Sequence, residues 1–453
     1  MDIPNYAKAV MQTLENAGYE AYIVGGCVRD TLMGKLPHDY DIASSALPEE
    51  AKRALSGFKV IETGIKHGTI TVISNGQQIE VTTYRIDGDY SDGRHPESVS
   101  FTQKLENDLA RRDFTINGMA YGREGIIDIF GGREDLKRGI IRCIGEPEKR
   151  FSEDALRIMR AIRFSSVLGF EIEESTARSA SECRSLLKKI SAERILAELK
   201  QLIRGKDTER VLLQFPEIFA EILPELACEI GFEQYSRYHD STLYEHTARA
   251  VGAVRSALEK TGGEHSEEAE TALGLAMLLH DCGKVRRQSR SADGEGHYYG
   301  HAAVGAEMAN AALRRLKCSN TERERICKII KYHDIPIELS GNFLRRQLAK
   351  HGDLFRDIVA AHIADDMAKR EFCRERIPTY LKALEKIKEI EDEKPCLTLK
   401  ELAVNGSDLT DMIPPSPELG RILRKLLMEV IDGKLENEKG ALKARAAELT
   451  ARC

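Results

Sequence analysis

The sequence predicts an α+β protein, with a mixed N-terminal part followed by a long helical remainder, and three observations carry that prediction. Short β-like runs at 20–24, 39–43, 58–62, 69–73 and 78–85 alternate with short helical pieces such as 48–55. From about residue 134 the strand signals fade and helical periodicity continues to the end, with Gly131-Gly132 at the change. The 453 residues, 42% hydrophobic and 31% charged, fit a soluble, mostly helical chain, long enough for about three domains of ordinary size.

Residues 1 to about 20 read as one amphipathic helix, with Tyr6, Val10 and Leu14 spaced by fours. The apolar run Ala21–Val24 reads as a strand that delivers the chain to Gly25-Gly26, where glycine lets the backbone approach a phosphate closely. Arg29 follows that turn and is placed to reach phosphate oxygens. After a helix-sized gap come Asp39 and Asp41. In a strand, residues i and i+2 share a face, so the two carboxylates stand side by side as ligands for a divalent metal. Glu80 is the candidate third carboxylate. Gln78, Glu80 and Thr82 share one face of their strand and Ile79 and Val81 the other, so plain surface is the alternative for Glu80. A phosphate-binding turn beside paired aspartates points to nucleotidyl transfer through a two-metal site. The polar stretch 86–98, with Asp89, Asp92 and Arg94, reads as a mobile loop.

Two later segments carry the rest of that chemistry. In Arg111–Ala120 (RRDFTINGMA), Arg112 suits a triphosphate, and Asp113 and Asn117 suit orienting a ribose or other active-site side chains. A helix start with surface arginines is the alternative. In Glu153–Phe164, Asp154, Arg157, Arg160 and Arg163 recur every three residues, while Leu156, Met159, Ile162 and Phe164 supply the apolar side. A carboxylate beside a guanidinium has a specific use. Cytosine and adenine both present an exocyclic amine next to a ring-nitrogen acceptor, so Asp154 accepts from the one and Arg157 donates to the other. Guanine and uracil present a carbonyl oxygen in place of the amine. The pair is therefore a candidate template for C and A, with an ordinary i,i+3 ion pair as the alternative.

Composition narrows the setting. No run of roughly 18 apolar residues predicts a membrane span, and MDIPNYAKAV lacks the pattern of a signal peptide. Ten scattered cysteines without a CxxC pair predict a reduced, cytoplasmic protein. A net charge of −6 does not advertise a nucleic-acid binder, so such contacts must come from local patches. The charge run 385–395 reads as a solvated helix end or linker.

A second ligand set lies farther along. His280-Asp281 ends the apolar run in LGLAMLLHDCGK, with His246 upstream and His301, His333 and Asp365 downstream. Imidazole and carboxylate are the usual ligands of first-row metals. His301 and His333 either complete a second metal site or are surface histidines, and Asp366 rivals Asp365.

The motifs GGCVRD at 25–30, DYD at 39–41, RRDFTINGMA at 111–120, DIFGGREDLKRGIIRCIG at 128–145 and RFSEDALRIMRAIRFSSVLGF at 150–170 resemble the class II tRNA nucleotidyltransferases, the CCA-adding enzymes, and the related bacterial poly(A) polymerases. ISAERILAELKQLI at 190–203 looks like the next motif of that family. The resemblance implies a polymerase-β-like nucleotidyltransferase head at 1–130 and an all-helical neck at 131–235. It implies Mg²⁺ at Asp39 and Asp41, and nucleotide contacts at Gly25, Gly26, Arg29, Arg112, Asp113, Asn117, Asp154, Arg157, Arg160 and Arg163. The implied partners are tRNA, CTP and ATP, without a membrane. Gly118 and Ala155 depart from the usual alanine and proline without touching the chemistry. The order His246, His280-Asp281, Asp365, with Lys284 following, resembles the HD phosphohydrolase superfamily. That implies an HD domain at 236–370 and a transition metal such as Ni²⁺, Co²⁺ or Mn²⁺. Leu397–Leu449 looks like the tRNA-contacting end of the CCA-adding enzymes, which implies a tRNA-contacting helical tail at 371–453 with Arg421, Arg424 and Lys425, an ordinary solvated helix being the alternative. The expected activity is complete CCA addition. The alternatives are a poly(A) polymerase, a CC-only or A-only enzyme, an HD domain kept only as scaffold, or an HD phosphohydrolase whose head binds RNA.

Overall fold

The run Ala21–Val24 forms β1, an inner strand of a seven-stranded sheet. The computed structural model describes residues 3–65, 68–88, 99–262 and 265–451. Within them the strands continue as β2 (Asp41–Ser44), β3 (Lys59–Gly64), β4 (Thr69–Ser74), β5 (Gln77–Thr83), β6 (Arg85–Asp87), β7 (Val99–Phe101), β8 (Met119–Gly122) and β9 (Gly125–Asp128). The sheet order is β3-β4-β5-β2-β1-β8-β9, with β2 and β5 parallel and the other pairs antiparallel. Successive residues serve opposite faces, as the two-residue period requires. Ile23 joins a core built with Val10 and Leu14 of α1 (Asn5–Asn16). Val24 joins a second cluster with Tyr84, Leu105 and Leu109.

Two strand expectations change. The run 78–85 splits at Tyr84, which is fully buried in the second cluster and gives its N–H to the Ser44 carbonyl. β6 then pairs with β7 in a separate ribbon. The strand expected at 39–43 begins only at Asp41. Residues 89–98, with Asp89, Asp92 and Arg94, lie outside the described residues.

The chain divides into two compact units, Met1–Ala227 and Cys228–Cys453. In the first, α2 (Gly26–Leu32), α3 (Pro48–Ala54) and α4 (Leu105–Ala110) accompany the sheet. α5 (Gly132–Arg138), α6 (Pro147–Glu153), α7 (Leu156–Leu168), α8 (Glu174–Glu182) and α9 (Ala192–Ile203) then follow. The helical part is interrupted by one parallel pair, Ile140–Ile141 with Glu171–Ile172. The second unit is built around the helix Glu267–Leu279, which is buried without a break from Thr271 to Leu279. A helix that is apolar on all sides belongs in an interior, and here it ends by delivering His280-Asp281 into that interior. The charge run 385–395 is mostly the end of the helix Ile377–Asp392, with Ile387 and Ile390 facing inward. Residues beyond 400 form their own cluster around Val404, Leu409, Leu426 and Leu442. No helix among the described residues is long and apolar enough to cross a membrane.

Candidate active site and candidate metal centre

The register of the sheet brings three chain segments to one edge. Val24 pairs with Asp41 across β1 and β2 and with Ala120 across β1 and β8, and Asp41 pairs with Glu80 across β2 and β5. The turn after β1, the lead-in to β2 and the lead-in to β8 therefore meet. Gly25 sits in that turn at φ 80°, and a Cβ there would lie 2.9 Å from Arg112 Nη1. Glycine serves two needs at once, the left-handed backbone and the guanidinium packed against it. Asp39 is not in the strand, so the i,i+2 geometry expected from sequence does not hold. The carboxylates converge all the same. Burial, then the charges of Asp39 and Glu80, push the Asp41 carboxyl up to about 6, with Arg112 pulling the other way. Glu80 is exposed and stands opposite Asp41 in the ladder. A buried carboxylate destabilised by the charges of neighbouring carboxylates, as Asp41 is, favours a bound divalent cation.

A cavity of about 480 Å³ opens at this edge, and Gly25, Gly26, Asp39 and Asp41 form one side of it. Arg29, Arg112, Asp113, Asn117, Asp154, Arg157, Arg160 and Arg163 complete the lining, so every candidate from the head and neck except Glu80 borders one space. Several of these residues act on each other. Asn117 accepts from Arg29 Nη1 at 2.7 Å and donates to Asp113 at 3.1 Å. Asp113 also accepts from Phe114 N–H and from Arg160. Burial alone would raise its carboxyl, but Arg160, Asn117 and the Phe114 amide outweigh that and hold it at about 2. Asp113 and Asn117 thus orient side chains, one of the two uses expected of them.

The helical row expected from Asp154 to Arg163 is broken. α6 ends at Asp154, which is extended at φ −140°, ψ 102°, and α7 begins at Leu156. No ion pair joins Asp154 to Arg157. Asp154 Oδ1 accepts from Leu156 N–H and its Oδ2 from Arg194 Nη2 at 2.8 Å. Arg157 instead binds Glu153 at 2.7 Å and the carbonyls of Arg150 and Arg111. A carboxylate just before a helix caps its first turn, which is why the row stops there.

Sequence reasoning missed four residues here. Arg111 and Phe164 also line the cavity. The Phe164 ring faces the guanidinium groups of Arg29, Arg160 and Arg163 at 5.0, 5.4 and 4.0 Å. From α9, Arg194 holds Asp154, and Glu198 holds Arg163 at 2.5 Å. Glu198 had a visible signal. It lies in the buried stripe Ile195, Glu198, Leu199, Leu202, where a charge needs a partner.

In the second unit, His246, His280, Asp281 and Asp365 bring one ligand atom each within 4.8 Å of one another, and Asp281, His301 and His333 do the same. Asp281 is common to both groups. Gly283 makes this possible: a Cβ there would lie 2.2 Å from the His301 carbonyl oxygen, so only glycine lets the helix His301–Arg315 come close enough. The Nδ1 atoms of His280, His301 and His333 sit 2.7, 2.9 and 2.7 Å from the carbonyls of Met277, Tyr298 and Ile330. That contact directs a lone pair at Nε2 toward the carboxylates, the usual support of a metal-binding histidine. Asp366 turns away to Tyr380, so Asp365 is the carboxylate that joins His246 and His280. Burial opposes a proton on His280, but Asp281 and Asp365 outweigh it and push its pKa up to about 10. The buried carboxylates thus demand positive charge. Lys284 at 2.6 Å from Asp281 and Lys369 at 2.5 Å from Asp365 supply part of it.

Comparisons with known proteins agree with the two-part layout. The family model described as the Poly A polymerase head domain matches residues 21–142. The family model described as "Probable RNA and SrmB- binding site of polymerase A" matches 169–229, and that described as "tRNA nucleotidyltransferase domain 2 putative" matches 301–446. A CCA-adding enzyme of Lactobacillus delbrueckii subsp. bulgaricus is 35% identical over 447 residues, 96% of either chain. That of Lactobacillus helveticus is 34% identical over 98% of this chain and 96% of its own. The Bacillus stearothermophilus CCA-adding enzyme in complex with CTP is similar in structure at a TM-score of 0.75 and 32% identity, covering 100% of this chain and 99% of that one. With the carboxylate edge, the arginine-lined cavity and near full-length similarity all in agreement, the chain belongs to the CCA-adding enzymes, the class II tRNA nucleotidyltransferases.

Proposed function

We infer that this chain completes tRNA 3′ ends, transferring CMP from CTP and then AMP from ATP and releasing pyrophosphate. The observation that carries this reading is one cavity bordered both by Asp39 and Asp41 and by Asp154 and Arg157. Its volume of about 480 Å³ suits a nucleotide. Asp39 and Asp41, with Glu80 alongside, would hold Mg²⁺, which neutralises the triphosphate and acidifies the attacking 3′-hydroxyl. The Gly25-Gly26 turn with Arg29 and Arg112 grips phosphate oxygens, and Arg160 and Arg163 extend that cationic wall. Asp154 and Arg157 read the base edge. We read the first unit as head and neck and the second as HD domain and tRNA-contacting tail. Free cysteines throughout the described residues fit a cytoplasmic setting. The test is to incubate tRNA ending before CCA with CTP, ATP or both, and to size the product. Both nucleotides together should add three residues. Extended growth with ATP alone would assign a poly(A) polymerase instead.

A second activity rests on the two ligand groups that share Asp281. We propose that the second unit binds a transition metal such as Ni²⁺, Co²⁺ or Mn²⁺ and hydrolyses a phosphoester in the adjoining cavity of about 550 Å³, where Lys284, Lys369 and Arg376 offer cations to a phosphate. Absence of both ring opening of a cyclic phosphate and phosphate release from a monoester, with every one of these metals, would leave it a metal-bound scaffold.

A further inference from the structure

Asp154 is a short side chain in an extended residue between two helices, and its own segment holds only one of its two carboxylate oxygens. One oxygen caps α7 through Leu156 N–H at 3.0 Å. The other is held from outside by Arg194 Nη2 at 2.8 Å. The guanidinium of Arg157, the expected partner, is committed to Glu153 and to two carbonyls and not to the Asp154 carboxylate. Arg194 stands at the first turn of α9, whose Ile195, Leu199 and Leu202 are buried, so it reaches Asp154 from a fixed base. Its Nη1 is sealed from solvent without a partner. A bare buried donor costs stability, so the residue is not there for stability alone. One turn on, Glu198 holds Arg163 at 2.5 Å and lies 3.9 Å from Arg160.

We propose that Arg194 is a positioning residue for base choice: by pinning one oxygen of Asp154, it keeps an acceptor facing the Watson–Crick edge of the incoming nucleotide. The proposal rests on the reading that Asp154 selects C and A. Rejection of uracil and guanine needs an acceptor that cannot turn away from their carbonyl oxygen. A pinned carboxylate meets that carbonyl as a repulsion. A released one rotates, and the wrong base is then penalised only by that rotation. Arg194 therefore contributes to discrimination more than to turnover.

The experiment uses the full-length protein and tRNA ending before CCA. It compares wild type, Arg194→Met and Arg194→Lys for CTP and UTP at the first position, reading kcat and KM separately. The expected result for Arg194→Met is a fall in the CTP/UTP ratio of kcat/KM of about ten-fold, the size of one hydrogen bond, mostly through gain with UTP. Arg194→Lys should recover part of the ratio. In an Asp154→Asn background, Arg194→Met should change the ratio little further, because the two act as one unit. An unchanged ratio, or an equal loss with both nucleotides, overturns the proposal and leaves Arg194 a structural residue. Should Arg194→Met fail to fold, Arg194→Lys in the wild-type and in the Asp154→Asn background decides it by the same ratio. Failure of wild type to incorporate CTP would instead overturn the reading of the site itself.

Discussion

Asp113 and Arg160 stand 47 residues apart in the chain and meet through a hydrogen bond of 2.8 Å from Nε and an ion-pair contact of 2.6 Å from Nη2, both to the same carboxylate oxygen. This pair ties the lead-in of β8 to the middle of α7, and so ties one wall of the cavity to another. Because Asn117 shares Asp113 and in turn accepts from Arg29, three elements are locked through one carboxylate.

That lock has a pH signature. The Asp113 carboxyl is held at about 2 in the folded protein, below its ordinary 3.8. A depressed carboxyl contributes stability that is fully present above the unfolded value and is lost as pH falls through the folded one. The contribution is about 2 kcal/mol at neutral pH. Asp113→Asn should therefore lose about that much at pH 7 and at pH 5, and the gap to wild type should narrow between pH 4 and pH 3. Urea unfolding at these pH values measures it, and a gap independent of pH would contradict the assignment.

Gly25 and Arg112 give a second expectation. Gly25→Ala places a methyl group at 2.9 Å from Arg112 Nη1 in a residue at φ 80°. The left-handed strain costs about 1 kcal/mol, and the guanidinium must move. The variant should fold with a small loss of thermal midpoint, while KM for CTP and ATP rises about ten-fold or more. Equal KM values in variant and wild type would separate Arg112 from the triphosphate.

Phe164 was legible only as an apolar residue of α7, and its position explains what sequence does and does not reveal. Its ring faces three guanidinium groups and meets Phe114 edge-on at 5.9 Å. Each cation–π contact is worth about 0.5–1 kcal/mol at partly exposed sites. Phe164→Leu keeps the bulk but not the ring, and should raise KM for the nucleotides about ten-fold with little change in melting temperature. Phe164→Tyr should stay near wild type.

The fold class, the first five strands of the head and nearly all cavity residues were legible because they rest on local signals, whereas β7, β8 and β9 were not anticipated. Two-residue alternation marked β5, the glycine pair marked the turn, and charged residues recurred in short motifs. What was not legible depended on distant partners. A three-residue spacing looks the same whether or not a helix breaks at Asp154, and the break is set by α6 ending there. The partner of Asp154 is Arg194, 40 residues on, and no local pattern announces such a pairing. Asp365 and Asp366 were indistinguishable for the same reason. Packing separates them: Asp365 lies 3.1 Å from His246 Nε2, while Asp366 accepts from Tyr380.

Metal binding by the histidine–aspartate cluster of the second unit can be counted by titration. Two ligand groups meet at Asp281, so titration with Co²⁺ should find two equivalents per chain. His301→Ala removes a ligand of one group only and should leave one equivalent. His246→Ala should do the same for the other group, and Asp281→Asn should weaken both. Gly283→Ala bears on the same geometry from the backbone. Its methyl group would meet the His301 carbonyl at 2.2 Å and the Gly305 nitrogen at 2.6 Å, so the His301–Arg315 helix must back away and carry His301 from Asp281. The first group is untouched by that shift, since His246, His280 and Asp365 come from other helices. Gly283→Ala should therefore lose the His301–His333 equivalent while retaining the other, as read by calorimetry and by the metal-induced rise in melting temperature. Loss of both equivalents together, or of neither, would show that the two groups do not act as separate sites around a shared aspartate.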